Sequence, residues 1–170
     1  YSVAESTAIG TVGIGFNALN ALTSGAGNLG IGYQAGTLIN AGSHNTTIGY
    51  QAGQRMTGND WNIIIGNYAG EYLDDGVAGT DGNIVMGVSA LRYIDDASYN
   101  IAIGFEAMKS GTAMVGGENA SHNIALGRAS LKEITTGDNN VAIGAYSADS
   151  LTTGYSNTFM GYSSAATMTT

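Results

Sequence analysis

The sequence has no cysteine and no proline. The lack of cysteine excludes a disulfide framework and thiolate chemistry, and it leaves the redox compartment open. The lack of proline, together with 27 glycines among 170 residues, is unusual for a loop-rich globule and typical of an array of tight, similar turns. No apolar run reaches membrane-spanning length and the N-terminus has no signal-peptide pattern, so the sequence predicts no membrane insertion.

Basic residues are also scarce. The chain carries 5 Lys and Arg against 13 Asp and Glu, which gives a formal net charge of −8. Because an acidic surface repels phosphate groups, this composition predicts that nucleic acid is not a partner. Hydrophobic residues make up 44% of the chain, which is enough to bury a core.

A repeat organises the chain. Each of nine units has a glycine four residues after an Asn. In the first unit, Thr11 takes the place of the Asn. The asparagines are Asn28, Asn45, Asn62, Asn83, Asn100, Asn123, Asn140 and Asn157. The steps between units are 17 residues, except for two of 21 and 23 residues. We therefore predict a nine-repeat solenoid over residues 11–170, with insertions at about 77–82 and 110–121, after a cap or partial repeat over residues 1–10. Since the last residues stop inside a unit, we expect the chain to be a fragment of a longer protein.

The first half of each unit predicts a short strand. With the Asn counted as position zero, positions one and three are mostly aliphatic, as in Ile101 and Ile103, and would share one face of a strand. Position two, as in Ala102, points the other way and is too apolar for a plain solvent face. We therefore predict a second contact surface along position two, of the kind that joins subunits.

The second half of each unit has a different pattern. Positions seven, eight and eleven are mostly small or apolar, as in Ala90, Leu91 and Ile94, whereas position nine is mostly polar. A strand would bring positions seven and nine to the same face, while positions seven, eight and eleven share one face of a helix. Glycines such as Gly36 at position eight argue against a helix. The predicted fold is a parallel β-solenoid with one short strand and one short helical turn in each 17-residue coil.

Stacking gives the asparagines a structural role. Parallel strands of successive units lie about 4.8 Å apart, so eight steps make a rod roughly 40 Å long. The Asn side chains would then form a column in which one amide bonds to the next, as in stacked amide ladders. We predict that the eight asparagines form a structural ladder and do not serve chemistry.

Three segments carry a resemblance to known repeats. They are Asn45-Thr-Thr-Ile-Gly-Tyr-Gln-Ala-Gly, Asn100-Ile-Ala-Ile-Gly and Asn140-Val-Ala-Ile-Gly. They resemble the Asn-Thr-Ala-Ile-Gly repeat arrays of bacteriophage tail fibres and, more distantly, the head repeats of trimeric autotransporter adhesins. The resemblance covers residues 11–170. It implies a homotrimer and, as the alternative fold, an all-β left-handed β-roll, although the adhesin repeat is shorter than this unit.

Catalytic patterns are missing from the sequence. His44 and His122 lie four units apart, which at the strand spacing is roughly 20 Å and too far for a shared metal or a catalytic pair. No Ser-His-Asp grouping, nucleotide-binding loop or zinc spacing occurs. We predict that the chain is not an enzyme. A polysaccharide hydrolase would need a groove between subunits that gathers carboxylates.

Paired aspartates indicate one candidate metal site. Asp74, Asp75, Asp95 and Asp96 occupy positions twelve and thirteen of adjacent units. Stacking would bring four carboxylates close together, where like charges repel. Either a bound Ca²⁺ relieves this repulsion, since Ca²⁺ prefers oxygen ligands from flexible turns, or the turn is splayed and solvated. No other cofactor is predicted.

The two insertions indicate a candidate recognition edge. Trp61, the only tryptophan, and Tyr99 directly precede an Asn on or near the edge from which both insertions should protrude. Loops on a rigid scaffold commonly carry recognition, and exposed aromatics beside carboxylates suit a cell-surface glycan. The predicted ligand-binding residues are Trp61, Tyr99, Asp81, Glu118 and His122. The alternative is that Trp61 packs against its own turn or an inserted loop.

Together these features predict a non-catalytic structural or receptor-binding segment of an extracellular fibre, foremost a phage tail fibre, located outside the cell or on the virion surface. The predicted partner is the chain itself, as a homotrimer or an end-to-end filament. The alternative function is a bacterial surface adhesin or an extracellular matrix filament subunit, because open solenoid ends expose unpaired strand edges that could stack. Ice binding would require a regular Thr column, which only some units offer.

Overall fold

A computed structural model describes residues 8–73, 80–111 and 119–170. These ranges contain nine strands of three residues, β1 to β9. The strands are Val12–Ile14, Leu29–Ile31, Thr46–Ile48, Ile63–Ile65, Ile84–Met86, Ile101–Ile103, Ile124–Leu126, Val141–Ile143 and Thr158–Met160. They form one parallel sheet in sequence order, and each occupies positions one to three of one repeat unit. The predicted repeat fold, a parallel β-solenoid, is confirmed.

Several predicted features lie outside the described residues. These are Asp74, Asp75 and Glu118, residues 1–7 of the expected cap, and residues 77–79 and 112–118 of the two insertions.

The predicted helical turn is wrong for the described part of the chain, which contains no helix and agrees with the all-β alternative. Ser89 and Leu91, at positions six and eight, have φ angles of 55° and 47°. A right-handed helix needs negative φ at successive residues, so alternate left-handed residues exclude it. The backbone amides bond to the next coil instead, as when the Leu91 N–H donates to the Ala107 carbonyl at 2.9 Å. Gly36, with φ of 57°, has the same conformation at position eight.

Positions seven, eight and eleven nevertheless face the core, as the sequence pattern predicts. Ala90, Leu91 and Ile94 are fully buried. Because the backbone turns at position eight, neighbouring residues can both point inward without a helix. The buried apolar cluster runs along the solenoid from Leu19 to Leu151.

The two faces of the sheet are the reverse of those expected. Position two points into the core, where Val85, Ala102 and Ala125 are fully buried, and positions one and three point outward. The prediction of an outer contact surface along position two is therefore wrong. The physical reason is the narrow interior, where position two must fit against position eight. A Cβ on Gly30 would lie 2.7 Å from Cγ of Leu19, so a large residue at one position requires a small one at the other.

The invariant glycine at position four forms the corner after each strand. Gly87 has φ of 143°, and a Cβ added to it would lie 2.4 Å from the carbonyl oxygen of Gly104 in the next coil. Backbones of successive coils approach too closely here for any side chain. This glycine therefore sets the spacing of the coils.

Candidate functional site

The asparagine column lies in the buried interior. Nδ2 of Asn83 donates to Oδ1 of Asn62 at 3.0 Å and to the Ala97 carbonyl at 2.7 Å. Oδ1 of Asn83 accepts the backbone N–H and the Nδ2 of Asn100 at 2.9 and 3.2 Å. Both amide hydrogens and both oxygen lone pairs are used. An asparagine bonded in this way has no polar group left for a ligand, so it serves the fold.

A second polar column, the Ser/Asp column, lies two residues before the asparagines. Its members are Ser43, Asp60, Asp81, Ser98, Ser121 and Asp138. Oδ1 of Asp81 accepts the Asp60 backbone N–H at 2.8 Å, and Oδ1 of Asp60 accepts the Ser43 N–H at 2.6 Å. One carboxylate oxygen of Asp81, a predicted ligand residue, is therefore engaged by the scaffold.

The residues directly before the asparagines form the pre-asparagine column, which includes His44, Trp61, Gly82, Tyr99 and His122. Trp61 is 64% exposed and Tyr99 is 58% exposed. Trp61 stacks on His44 with ring centroids 6.2 Å apart and planes 5° apart, and Tyr99 stacks on His122 at 5.2 Å and 30°. Trp61 thus rests on the preceding coil and keeps most of its surface in solvent.

The predicted recognition residues within the described ranges share one edge of the solenoid. Trp61, Asp81, Tyr99 and His122 belong to the short segments that precede four successive asparagines. Because successive coils pair in register, these segments lie side by side. The described residues therefore bring together four of the five residues that the sequence predicts.

The outward face of the sheet is an extended exposed apolar surface. Its residues are aliphatic in every strand, except for Thr46 in β3 and Thr158 in β9. Ile63, Met86 and Ile103 remain 41%, 39% and 38% exposed although coils flank them on both sides. None of the nine described strands contains a charged residue. We call this outward-facing surface the sheet face. It presents no charged side chain to water.

Aromatic residues at position five border the sheet face. Phe16, Tyr33 and Tyr50 stack with ring centroids 5.3 and 5.1 Å apart, and Tyr50 meets Tyr68 edge-on at 5.2 Å. Desolvation by these neighbours, followed by the charge and hydrogen bonding of Tyr68, raises the pKa of Tyr50 above its ordinary value. These rings extend the apolar surface beside β1 to β3, whereas the same repeat position after β7 holds Arg128, whose guanidinium lies 5.6 Å from the centre of the Phe105 ring.

Comparison with family models, curated proteins and solved structures found no match to this chain. The described residues include no helix long and apolar enough to cross a membrane. The sheet face and the pre-asparagine column are the exposed features of the described residues that bear on function.

The predicted calcium site is only partly within the described ranges. Asp95 is 5% exposed, and its Oδ1 accepts the backbone N–H of Asp96 at 3.1 Å. Among the described residues, no group of three or more His, Cys, Asp or Glu side chains is arranged to hold a metal ion. Because Asp74 and Asp75 lie outside these ranges, the calcium site stays a prediction.

Sequence reasoning missed two features of these surfaces. In five of the nine units a Phe or Tyr directly follows the corner glycine. These residues are Phe16, Tyr33, Tyr50, Phe105 and Tyr162. The Ser/Asp column has a Ser or Asp two residues before six asparagines. Both signals are present in the aligned repeats, at positions five and minus two, which lie outside the aliphatic pattern of the strand.

Proposed function

We propose that the chain is a non-catalytic structural and receptor-binding segment of an extracellular fibre, of the tail-fibre kind that its repeats resemble. Copies of the chain associate side by side through the sheet face, and the homotrimer implied by the resemblance is the expected state. The observation that carries this proposal is the outward face of the nine described strands, which has no charged residue and is aliphatic except at Thr46 and Thr158.

The size of the sheet face supports an interface. Eight steps of about 4.8 Å and a width of three residues at about 3.3 Å give a projected area of roughly 380 Å². The largest apolar patch on an ordinary monomer is about 300–600 Å² and is often functional, and a standard interface buries about 800 Å² per partner. The sheet face thus has the size of a functional apolar patch and covers about half of one side of a standard interface, to which its aromatic border adds.

The scaffold supports the spacing role of a fibre. Backbone amides donate to adjacent coils around most of each circuit, as from Ile84 to Asn100, Leu91 to Ala107 and Tyr99 to Asp81. Each coil buries its apolar side chains against its neighbours, so stability accumulates along one axis. An elongated rod of this kind can hold a binding surface away from its base.

Light scattering after size-exclusion chromatography tests the association. We expect a discrete oligomer for the natural chain and a monomer for the double variant Ile63→Lys/Ile101→Lys, because two buried charges per chain would oppose the interface. The matched control is Leu38→Lys, at an aliphatic residue that is 45% exposed outside the sheet, and it should keep the mass of the natural chain. A monomeric natural chain would overturn the proposal.

Negative-stain microscopy of the same samples separates this proposal from the alternative function. Discrete rods of constant length support side-by-side association. Filaments that lengthen with concentration would overturn it and favour a matrix or adhesin filament subunit that assembles end to end.

A further inference from the structure

The exposed large hydrophobic residues of the solenoid gather on one side. Among the described residues from Tyr33 to Phe105, ten large hydrophobic residues are exposed, and nine of them lie at positions minus one to five of their units. The nine are Tyr33, Tyr50, Trp61, Ile63, Met86, Val88, Tyr99, Ile103 and Phe105. Leu38, at position ten, is the exception. The sheet face, the pre-asparagine column and the aromatic border therefore form one apolar side of the rod.

The sheet face alone is too small for a standard interface, and the columns on its two sides supply the rest. Tyr33, Tyr50, Trp61, Tyr99 and Phe105 are between 40% and 64% exposed. Because an aromatic side chain can bury about 150–250 Å², these five still offer roughly 400–600 Å². Together with the sheet face, they match the area of about 800 Å² that one side of a standard interface buries. A partner of standard size on the sheet face therefore covers both columns as well.

The two sides of the sheet face differ in charge. On the pre-asparagine side, the Ser/Asp column contributes the carboxylates of Asp60, Asp81 and Asp138. On the other side, Arg128 is the one charged residue at position five in the nine units, and it is exposed. Tyrosines such as Tyr33 add hydroxyl donors there. One side of the face is therefore negative and accepts hydrogen bonds, whereas the other carries a positive charge and donates them.

This asymmetry determines how a second copy can lie on the face. Two rods that point the same way, related by a rotation about an axis parallel to them, bring unlike columns together. Two rods that point opposite ways, related by a two-fold axis across them, bring like columns together. The second arrangement would set the aspartates of one chain against those of the other, where like charges repel. The charges therefore favour two rods that point the same way.

Arg128 and Asp138 lie at similar heights along the rod. Arg128 follows β7, Asp138 precedes β8, and these two strands pair directly. The two residues are therefore no more than about one coil step, or about 4.8 Å, apart along the axis. Because a rotation about an axis parallel to the rods preserves height, Arg128 of one chain comes level with Asp138 of the next.

We propose that the occupant of this side is a second copy of the chain in parallel orientation, with the pre-asparagine column of one chain packed against the aromatic border of the next. Trp61 and Tyr99 then serve the contact between chains, and Arg128 pairs with Asp138 across it. This inference rests on the side-by-side association in the proposed function and names the residues and the orientation of that contact.

Quenching of Trp61 fluorescence by acrylamide tests the burial, because Trp61 is the only tryptophan and is 64% exposed in the single chain. The quenching constant of the natural oligomer should be at most half that of the monomeric variant Ile63→Lys/Ile101→Lys. Acrylamide is uncharged, so the added lysines do not attract it. The control Leu38→Lys should keep the low value of the natural chain. An oligomer in which Trp61 is quenched as strongly as in the monomer would overturn the proposal and leave Trp61 available to a glycan.

Introduced cysteines test which columns meet. Tyr99 and Phe105 flank β6 at positions minus one and five, and the strand of about 10 Å between them prevents a disulfide within one chain. Under mild oxidation the double variant Tyr99→Cys/Phe105→Cys should form covalent oligomers, whereas each single variant should stay monomeric on a non-reducing gel. A single variant that cross-links as strongly as the double variant would show that like columns meet and would overturn the proposal. A double variant that keeps the oligomeric mass under reducing conditions but forms no cross-link would also overturn it.

Mass measurements on the same preparations separate this inference from the proposed association. An oligomer with an exposed Trp61, or with cross-links between like columns, would overturn this inference and leave the association intact. A monomeric natural chain would overturn both.

Discussion

Replacing Asn83 with alanine tests what holds successive coils together. Asn83 is fully buried in the middle of the asparagine column. The change removes the Nδ2 bonds to Oδ1 of Asn62 and to the Ala97 carbonyl. It also removes the Oδ1 that accepts from the N–H and Nδ2 of Asn100. One substitution thus breaks four hydrogen bonds across three coils.

The cost depends on which groups keep another partner. Oδ1 of Asn62 still accepts the backbone N–H of residue 83 at 2.9 Å, and Nδ2 of Asn100 still donates to the Ala120 carbonyl at 2.8 Å. The Ala97 carbonyl and the Asn100 N–H lose their asparagine partners. A buried polar group left without a partner costs about 1–3 kcal/mol, so two such groups cost about 2–6 kcal/mol. This is a large fraction of an ordinary stability of about 5–15 kcal/mol.

Urea unfolding followed by far-ultraviolet circular dichroism measures this loss. Asn20→Ala is the matched control, since it makes the same chemical change at an exposed residue, and it should stay within about 0.5 kcal/mol of the natural chain. If Asn83→Ala were no less stable than this control, the asparagine column would not hold the coils together.

Three further predictions concern the corner glycine, the Ser/Asp column and calcium. Gly87→Ala should lower the free energy of unfolding by more than about 3 kcal/mol, because the added Cβ would lie 2.4 Å from the Gly104 carbonyl oxygen. The control Gly58→Ala, with no atom within 4 Å of the added Cβ, should be near neutral in the same urea assay. Asp60→Ala should cost about 1 kcal/mol in that assay, because the Ser43 N–H loses its acceptor at 2.6 Å, and an unchanged midpoint would contradict this role. If the four predicted aspartates hold Ca²⁺, adding a chelator should lower the melting temperature and restoring Ca²⁺ should reverse it; identical melting in both conditions would exclude the site.

The repeat and the strand positions could be predicted from the sequence because a periodic chain pairs each unit with the same residues of the next. Ile84 lies opposite Ile101, and Ile101 lies opposite Ile124 although the second step is longer. The longer step does not shift the register of the two strands. Periodicity therefore carries the topology directly.

Hydrophobicity alone could not predict which face of each strand points into the core. Ile101 and Ile103 are larger and more apolar than Ala102, yet Ala102 is buried and Ile103 is 38% exposed. Hydrophobicity indicates which residues avoid water, but not what covers them. The interior beside β6 is already filled from positions seven, eight and eleven, so only a small residue fits there.

The helical turn was mispredicted for a related reason. Leu91 favours helices, but its φ of 47° is stabilised by the bond from its N–H to Ala107 in the next coil. Tertiary hydrogen bonds overrode the local propensity. The clue in the sequence was glycine at the same position in three units, as in Gly36.

Cysteine cross-linking tests most directly whether the sheet faces of two chains meet. Since the chain has no cysteine, one can be introduced at Ile103 on the sheet face or at Lys132 outside it. Under mild oxidation we predict covalent dimers from Ile103→Cys and none from Lys132→Cys. Monomers alone from Ile103→Cys, or equal cross-linking from both variants, would contradict side-by-side association through this face.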